Sequence, residues 1–307
     1  MKAFAFIPAS FFTNGLCAFD EILTDKLILG GIILVTVIFP AAGEGKRMNA
    51  GKNKVLLELL GKPILTRTLL RFSECAAVDD FIIVVGADDV AGVSDALKRE
   101  KGLKPFRVVA GGSERQYSVA NGLKAIHEDT ELVLIHDAAR PLVPVKTIEA
   151  VVAEAWRSGA GIAAVRAKNT IKIVRADGIV ESTPNRAGLW EIQTPQGFRR
   201  DVIEAAYRRA EEDGFLGTDD AALVERLGLP VRVVEGSYRN LKITTPEDLW
   251  IVETFMERDL LGRVKARVEN AGEEISEALS GLDAFADRLA AIVDEKLQAY
   301  RNKEEQK

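Results

Sequence analysis

The sequence has few of the residues that build disulfide frameworks and zinc clusters. Its 307 residues include two cysteines, Cys17 and Cys75, and two histidines, His127 and His136. Two thiols cannot form the several bridges of a disulfide scaffold, and the four residues lack the spacing of a zinc site. We therefore predict a protein of a reducing compartment, the cytoplasm.

The chain also lacks an excess of positive charge. Its formal net charge is -5, whereas nonspecific nucleic-acid binding depends on a basic surface that neutralises phosphates. Nucleic acid is therefore not an expected partner, and any phosphate binding must be local. Hydrophobic residues at 47% and charged residues at 28% are typical of a globular protein, with one large α/β domain and appendages or two small domains.

No apolar run is long enough to span a bilayer. The run from Leu27 to Phe39 has 13 residues, against about 20 for a transmembrane helix, and its second half is needed as a strand. The N-terminal segment also lacks a small-residue cleavage site after a single apolar core. We predict no stable membrane insertion. Residues 1–34 are either an accessory extension or lie upstream of a true start near Val35.

The most informative segment that is present is a strand followed by a glycine-rich loop. Val35–Phe39 is apolar or β-branched without alternation, which is typical of a strand buried on both faces. Gly43 and Gly45 allow backbone N–H groups to approach a ligand, and Lys46 and Arg47 add positive charge. This pattern indicates an anion-binding loop that suits a nucleoside triphosphate.

The loop matches neither of two common nucleotide motifs. A P-loop needs Ser or Thr after Gly-Lys, and Arg47 follows Lys46 here. The dinucleotide motif needs a third glycine where Met48 stands. A plain glycine turn between a strand and a helix remains the alternative.

Strands and helices alternate after Val35, which predicts an α/β fold with a mostly parallel sheet and helices on both faces. The predicted strands are 35–39, 81–85, 107–110, 132–136, 161–165 and 231–234. The predicted helices are 63–74, 89–99, 114–127, 146–157, 201–212 and 219–227.

Two segments depart from this alternation. Residues 168–184 contain two short strand-like pieces joined through Asp177-Gly178, which predicts an inserted β-hairpin arm that packs on another subunit. After about residue 258 the pattern is helical, with expected interruptions at Gly262, Gly272 and Gly281. We therefore predict three parts: an extension at 1–34, a domain at 35–258 and a helical C-terminal extension at 259–307.

Charged residues collect after the predicted strands, where ligands of open α/β sheets bind. Lys54 follows the first strand, and Asp137 and Arg140 follow the fourth. Asp137 is a candidate for Mg²⁺ or ribose binding, with a turn or helix cap as the alternative. The sequence supplies no partner that would make His136 a base, so we expect it to pack or hydrogen-bond at the strand end.

The segment from Gly111 to Ser118 also follows a strand and begins a helix. Its backbone N–H groups, together with Ser113 or Ser118, suit a phosphate or base edge, and simple helix capping is the alternative. Further along, Lys242 precedes Thr245–Asp248, which has the pattern of a helix start.

These segments recur together in one known family. They are Pro40 to Met48, Lys54, Gly112 to Leu123, His136 to Pro141, Asn185 to Trp190, Gln193 to Gln196, Thr218 to Asp220 and Lys242 to Asp248. In this order and over residues 35 to about 255, the chain resembles the 2-C-methyl-D-erythritol 4-phosphate cytidylyltransferases of the non-mevalonate isoprenoid pathway. The resemblance does not cover residues 1–34 or the helical tail.

The resemblance implies a Rossmann-like nucleotidyltransferase fold and a homodimer formed through the hairpin arm. It implies transfer of CMP from CTP to 2-C-methyl-D-erythritol 4-phosphate, release of pyrophosphate, and Mg²⁺ or another divalent cation as cofactor. The implied catalytic residues are Arg47, Lys54 and Lys242. The implied nucleotide-binding residues are Pro40, Ala41, Ala42, Gly43, Gly45, Gly112, Ser118 and Asp137, with Asp137 also at the metal. The implied residues for the acceptor phosphate are Arg140, Thr170, Arg186 and Thr194.

Three residues depart from the family pattern. Asn53 and Val55 replace a frequent Pro and Gln, which predicts a more mobile loop, and Glu44 is expected to point away from the phosphates. Two other functions fit less well. A ribitol 5-phosphate cytidylyltransferase would share the nucleotide half, but the segment from Asn185 to Trp190 favours the erythritol acceptor. A non-catalytic nucleotide-binding or scaffold protein is disfavoured by the joint presence of Arg47, Lys54, Arg186 and Lys242.

Overall fold

A seven-stranded sheet lies between two layers of helices in the computed structural model, which describes residues 33–43, 53–269, 286–291, 293, 294 and 298. The strands are β1 (Leu34–Pro40), β2 (Glu58–Leu59), β3 (Lys62–Pro63), β4 (Asp80–Val85), β5 (Phe106–Ala110), β6 (Thr130–Ile135), β7 (Ala160–Arg166), β8 (Ile173–Val174), β9 (Val180–Ser182), β10 (Trp190–Arg199) and β11 (Arg232–Glu235). The helices are α1 (Ile64–Ser73), α2 (Val90–Lys98), α3 (Arg115–Leu123), α4 (Val145–Ser158), α5 (Arg200–Glu212), α6 (Asp220–Arg226) and α7 (Pro246–Glu269).

The large sheet has the strand order β11-β7-β10-β6-β1-β4-β5, and β10 alone among these strands runs antiparallel to its neighbours. Strand β1 lies inside the sheet and is buried on both faces, as its unbroken apolar sequence predicts. Val37 and Phe39 face one core cluster, and Ile38 faces the other. The prediction of an α/β fold with a mostly parallel sheet is confirmed.

The two faces of the sheet carry different helices. Helices α1, α2, α4 and α7 contribute buried side chains to the cluster on one face, and α3, α5 and α6 contribute to the other. Helix α3 packs so closely on β1 that a Cβ atom on Gly122 would lie 2.6 Å from Cγ2 of Ile38. At the other end of α3, the turn before the helix lies beside the end of β1, where a Cβ atom on Gly111 would lie 2.6 Å from Ala42 Cβ.

Strand β10 was not predicted from the sequence. Its central residues Gln193, Thr194 and Gln196 are polar and suggest a loop, yet all three are buried. Their side chains find partners outside the strand: Gln196 donates to the Asp219 carboxylate at 2.7 Å, and Gln193 donates to the Ser237 carbonyl at 2.9 Å. These long-range hydrogen bonds satisfy the polar groups, which local sequence patterns cannot reveal.

The hairpin predicted at 168–184 is present as the separate two-stranded sheet β8–β9, with Gly178 at φ +83° in its turn. Its apolar side chains are exposed in the single chain, with Ile173 at 48%, Val174 at 52% and Val180 at 51%. Such a surface is typical of a contact with another molecule.

The prediction that Gly262 interrupts the C-terminal helix is wrong. Helix α7 runs without a break through Gly262, where a Cβ atom would meet no neighbour within 4 Å. A single glycine weakens a helix by about 1 kcal/mol and need not end it. Gly272 and Gly281 lie outside the described residues, and residues 286–291 are helical. Within the described part of the chain, no helix is long and apolar enough to cross a membrane.

Candidate active site

A cavity of about 430 Å³ opens where β1, β5 and β6 end. This is the edge at which open α/β sheets bind ligands. Nine residues to which the resemblance gives a site role line it together: Pro40, Ala41, Ala42, Gly43, Lys54, Gly112, Ser118, Asp137 and Lys242. Two others, Gly45 and Arg47, lie outside the described residues, as do Glu44, Lys46 and Met48.

One wall of the cavity is the end of β1 and the short turn that begins at Asn53. The Asn53 side chain donates to the Ala41 carbonyl and accepts a hydrogen bond from Val55 N at 3.3 Å, so it ties this turn to the strand end. Lys54 projects from the turn, and its Nζ donates to the Ile243 carbonyl at 2.9 Å. The asparagine that departs from the family pattern thus positions the neighbouring lysine.

The opposite wall is the turn from β5 into α3, and close packing explains its glycines. A Cβ atom on Gly111 would lie 2.6 Å from Ala42 Cβ, and one on Gly112 would lie 2.5 Å from Tyr117 Cβ. Ser118 Oγ accepts a hydrogen bond from Gly112 N at 3.1 Å. The N-cap residue of α3 is Glu114, which makes no side-chain capping bond, so this turn does not act as a simple helix cap.

Asp137 is the buried carboxylate at the floor of the cavity, and three cations surround it. Lys242 Nζ lies 3.0 Å and Arg140 Nε 3.2 Å from Asp137 Oδ2, while Arg115 Nε lies 3.7 Å from Oδ1. Burial alone would raise the pKa of Asp137, but Lys242, Arg140 and Arg115 hold that pKa well below its usual range. Asp137 therefore stays ionised at any physiological pH.

Arg140 and Thr194 lie behind Asp137 and are not among the residues that line the cavity. The Arg140 side chain is 11% exposed and donates to the Asn240 carbonyl at 2.7 Å. Thr194 Oγ1 accepts a hydrogen bond from Asp137 N at 3.0 Å, next to a cis peptide bond with Pro195. Both residues fix the backbone and side chain of Asp137.

His136 is fully buried and packs as expected. Its ring lies 4.6 Å from the Phe72 ring and 6.0 Å from the Phe39 ring, measured between centroids, and Nε2 lies 3.2 Å from the Arg140 carbonyl. Burial lowers the pKa of His136 to about 3, although the neighbouring Asp137 carboxylate acts in the opposite direction. His136 is therefore neutral at physiological pH and supplies no positive charge to the cavity.

The remaining two predicted acceptor residues lie elsewhere. Arg186 lines a separate open concavity at the base of the hairpin together with Arg166 and Lys168, and Thr170 is exposed on the arm. Within one chain, the structure does not bring Arg186 or Thr170 to the cavity that holds Asp137.

Seven residues that line the cavity have no role predicted from the sequence: Asn53, Val55, Glu114, Arg115, Ala138, Ala139 and Thr244. Arg115 stands in the glycine-containing segment Gly112 to Leu123, so the signal for it was present. Its partner Asp220 is 105 positions away along the chain, and nothing in the local sequence reveals the pair.

Comparison with known proteins identifies the family. The family model described as IspD, 2-C-methyl-D-erythritol 4-phosphate cytidylyltransferase, matches residues 35–258. The chain belongs to this family. Membership confirms the resemblance and the prediction of a cytidylyltransferase enzyme of isoprenoid biosynthesis.

Curated relatives agree with the family assignment. The 2-C-methyl-D-erythritol 4-phosphate cytidylyltransferase of Syntrophus aciditrophicus is 46% identical over 226 residues, which cover 73% of this chain and 97% of that protein. The enzyme of the same description from Symbiobacterium thermophilum is 48% identical over 233 residues, covering 75% and 96%.

Solved structures match the fold of this cytidylyltransferase. A 4-diphosphocytidyl-2C-methyl-D-erythritol synthase from Anaerococcus prevotii has a TM-score of 0.65 at 34% identity, covering 73% of this chain and 98% of that one. The 2-C-methyl-D-erythritol 4-phosphate cytidylyltransferase of Thermus thermophilus has a TM-score of 0.60 at 32% identity, covering 72% and 98%. The nucleotidyltransferase fold that the resemblance implies is thus confirmed.

Proposed function

We propose that the cavity around Asp137 binds CTP and transfers its CMP group to 2-C-methyl-D-erythritol 4-phosphate. The observation that carries this proposal is the charge arrangement at the strand ends. Lys54 and Lys242 line the cavity, Arg115 and Arg140 contact Asp137, and Asp137 balances only part of their charge. Such a site attracts a triphosphate.

The glycine-containing walls hold the nucleotide. Pro40–Gly43 and Gly112 bring backbone close to the cavity, and Ser118 keeps the Gly112 turn in place. We assign the same role to Gly45 on its sequence position alone. Asp137 lies in the same cavity, and its carboxylate accepts a hydrogen bond from a ribose hydroxyl of the nucleotide.

The chemistry needs charge stabilisation and no general base. The attacking oxygen belongs to a phosphate that is already an anion at neutral pH, and it approaches the α-phosphorus in line with the departing pyrophosphate. The equatorial oxygens gain charge in the transition state, so nearby fixed cations lower the barrier. We assign this role to Lys54 and Lys242, and to Arg47 on its sequence position.

The donor set fits Mg²⁺ that arrives with the triphosphate. Among the described residues there is no group of three potential metal ligands from His, Cys, Asp and Glu, so these residues alone build no metal cage. Mg²⁺ on phosphates takes only one or two protein carboxylates, and Asp137 Oδ1 is the oxygen that neither Lys242 nor Arg140 occupies. Asp137 would hold the ion, which neutralises phosphate charge when bound.

The acceptor site is completed by a second protomer. Arg186 and Thr170 lie at and on the hairpin arm, away from the cavity of their own chain, and the arm carries exposed apolar residues. In a homodimer the arm reaches the cavity of the other protomer and brings Arg186 and Thr170 to the acceptor phosphate. Arg140 and Thr194 support Asp137 at the same place.

The decisive test is pyrophosphate release by the purified full chain with CTP, Mg²⁺ and 2-C-methyl-D-erythritol 4-phosphate. We expect release with this acceptor and little with ribitol 5-phosphate. Release with ribitol 5-phosphate alone would contradict the acceptor assignment. Binding of CTP without release with either acceptor would favour a non-catalytic nucleotide-binding protein.

A further inference from the structure

Arg115 lines the cavity and also contacts Asp220, a buried acid at the start of α6. Its Nη2 lies 2.7 Å from Asp220 Oδ2, and its Nε lies 3.7 Å from Asp137 Oδ1. The first distance is a charge-assisted hydrogen bond and the second is an ion pair without one. One guanidinium therefore touches two carboxylates but is held firmly by only one of them.

Asp220 is built to hold this arginine. Its side chain is 1% exposed, and both oxygens are occupied: Oδ2 by Arg115, and Oδ1 by the Tyr207 hydroxyl, which donates at 2.6 Å. Burial raises the pKa of Tyr207, and Asp220 raises it further, so the hydroxyl keeps its proton and remains a donor. A buried carboxylate with both oxygens satisfied fixes the orientation of the planar guanidinium.

The two oxygens of Asp137 are used differently. Oδ2 carries Lys242 and Arg140, whereas Oδ1 accepts no hydrogen bond from any residue that the structure describes. Because Asp220 draws Arg115 to its own side, the guanidinium supplies positive charge near Oδ1 without occupying it. A free arginine would close on Asp137 and form a bidentate pair.

We propose that Arg115 is a positioning residue for nucleotide binding, held by Asp220 and Tyr207 so that Asp137 Oδ1 stays available to the bound nucleotide. This inference rests on the proposed function, since it takes CTP as the ligand at Asp137. It assigns Tyr207 and Asp220, which lie outside the cavity, to the same task.

A purely structural ion pair between α3 and α6 is the competing explanation, and binding measurements separate the two. We would compare Arg115→Met, Tyr207→Phe and Asp220→Asn in the full chain. Arg200→Met is the matched control: Arg200 also makes a 2.7 Å ion pair, with Glu204, and is 30% exposed against 33% for Arg115, but it lies outside the cavity.

The first measurement is the dissociation constant of CTP with Mg²⁺ by calorimetry, without acceptor and therefore without turnover. Loss of a residue that orients a metal ligand typically lowers metal affinity or activity by about 10- to 100-fold. We expect a loss of CTP affinity of the same size for Arg115→Met. Tyr207→Phe should weaken CTP binding several-fold, while Arg200→Met stays within twofold and the KM for the acceptor changes little. Normal CTP binding by folded Arg115→Met, judged by its unfolding midpoint, would overturn the inference.

A double-mutant cycle gives the second measurement. If Asp220 acts through Arg115, Asp220→Asn should add less than twofold to the CTP-binding loss already caused by Arg115→Met. Fully additive losses would overturn the inference. If Asp220→Asn does not fold, the same cycle is run with Tyr207→Phe. Pyrophosphate release by the wild-type chain tests the proposed function separately. If the wild-type chain releases pyrophosphate and Arg115→Met binds CTP normally, the inference about Arg115 is wrong and the proposed function stands.

Discussion

Lys242 is the cation whose contribution can be isolated most directly at the residue scale. It is 38% exposed, lies 3.0 Å from Asp137 and lines the cavity. We expect Lys242→Gln to lower kcat by about 100-fold, as typical losses of a transition-state contact do, because the equatorial oxygens lose a fixed cation. Steady-state kinetics and the unfolding midpoint would check this.

Lys62→Gln is the matched control for that change. Lys62 is 42% exposed and pairs with Glu100 at 2.7 Å, but it lies away from the cavity. Its exposed ion pair contributes about 1 kcal/mol or less, so kcat should stay near the wild-type value. An equal fall in kcat for Lys62→Gln and Lys242→Gln would show that Lys242 has no specific role in catalysis.

His136 makes the folded state sensitive to acid. The unfolded chain takes up a proton near pH 6.5, whereas burial lowers the pKa of the folded imidazole to about 3. The protonation of His136 therefore does not lower the free energy of unfolding above about pH 6.5, and it lowers this free energy progressively as the pH falls towards 3. At pH 5 the expected loss from this group is about 2 kcal/mol in the free energy of unfolding.

Denaturant unfolding of His136→Gln between pH 7 and pH 4.5 would test this dependence. The variant should lose less stability over this range than the wild type, whatever its stability at pH 7. His127→Gln is the control, because the His127 side chain is 50% exposed. A wild-type pH dependence in His136→Gln would show that other groups cause the acid sensitivity.

Single elements differ in how far the sequence predicts them. The apolar run of β1 and the Asp177-Gly178 turn carry their own local signals, and both elements form where predicted. Strand β10 gives no such signal, because its polar residues are satisfied by Asp219, Ser237 and Asn240 from distant parts of the chain. Helix α7 continues through Gly262 although propensity favours a break.

The hairpin arm gives a prediction at the element scale. Val180→Glu, at a residue 51% exposed in the single chain, should convert the proposed dimer to monomer, since an unpaired charge buried at an interface is strongly destabilising. Activity should fall more than tenfold with it, because in the proposed dimer Arg186 and Thr170 contact the acceptor in the other protomer's cavity. Light scattering after gel filtration, together with the pyrophosphate assay, measures both.

Leu229→Glu controls for charge added to an exposed apolar position. Leu229 is 41% exposed and precedes β11, away from the arm. It should leave mass and activity unchanged. A Val180→Glu protein that remains dimeric and active would place the interface elsewhere.

At the scale of the whole molecule, the sequence predicts the layers better than the site. Alternating strands and helices determine an α/β fold, and parallel strand ends determine where the ligand-binding edge lies. Which side chains meet at that edge depends on the strand order, so the contact of Arg115 with Asp220 and the place of Arg140 behind Asp137 could not be predicted.

We predict that residues 1–32, which precede β1 and the buried core residue Ile33, can be removed without loss of activity. A chain beginning at Ile33 keeps this 5%-exposed core residue and the whole of β1, including the hydrogen bond from Val35 N to Asp79 at 2.8 Å. We expect its kcat and KM to lie within twofold of the full chain. A truncated protein that folds, judged by its unfolding midpoint, but has lost activity would give the N-terminal segment a direct role.

The reversed direction of β10 has a consequence for how this molecule can change. Arg166 at the end of β7 pairs with Trp190 at the start of β10, so the chain leaves the sheet and returns to it at adjacent positions. Residues 167–189 therefore form a segment that begins and ends at neighbouring positions, and its length can vary without shifting the register of any strand in the large sheet. Insertions and deletions here therefore leave the large sheet intact, and they change only the arm that carries Thr170 and Arg186.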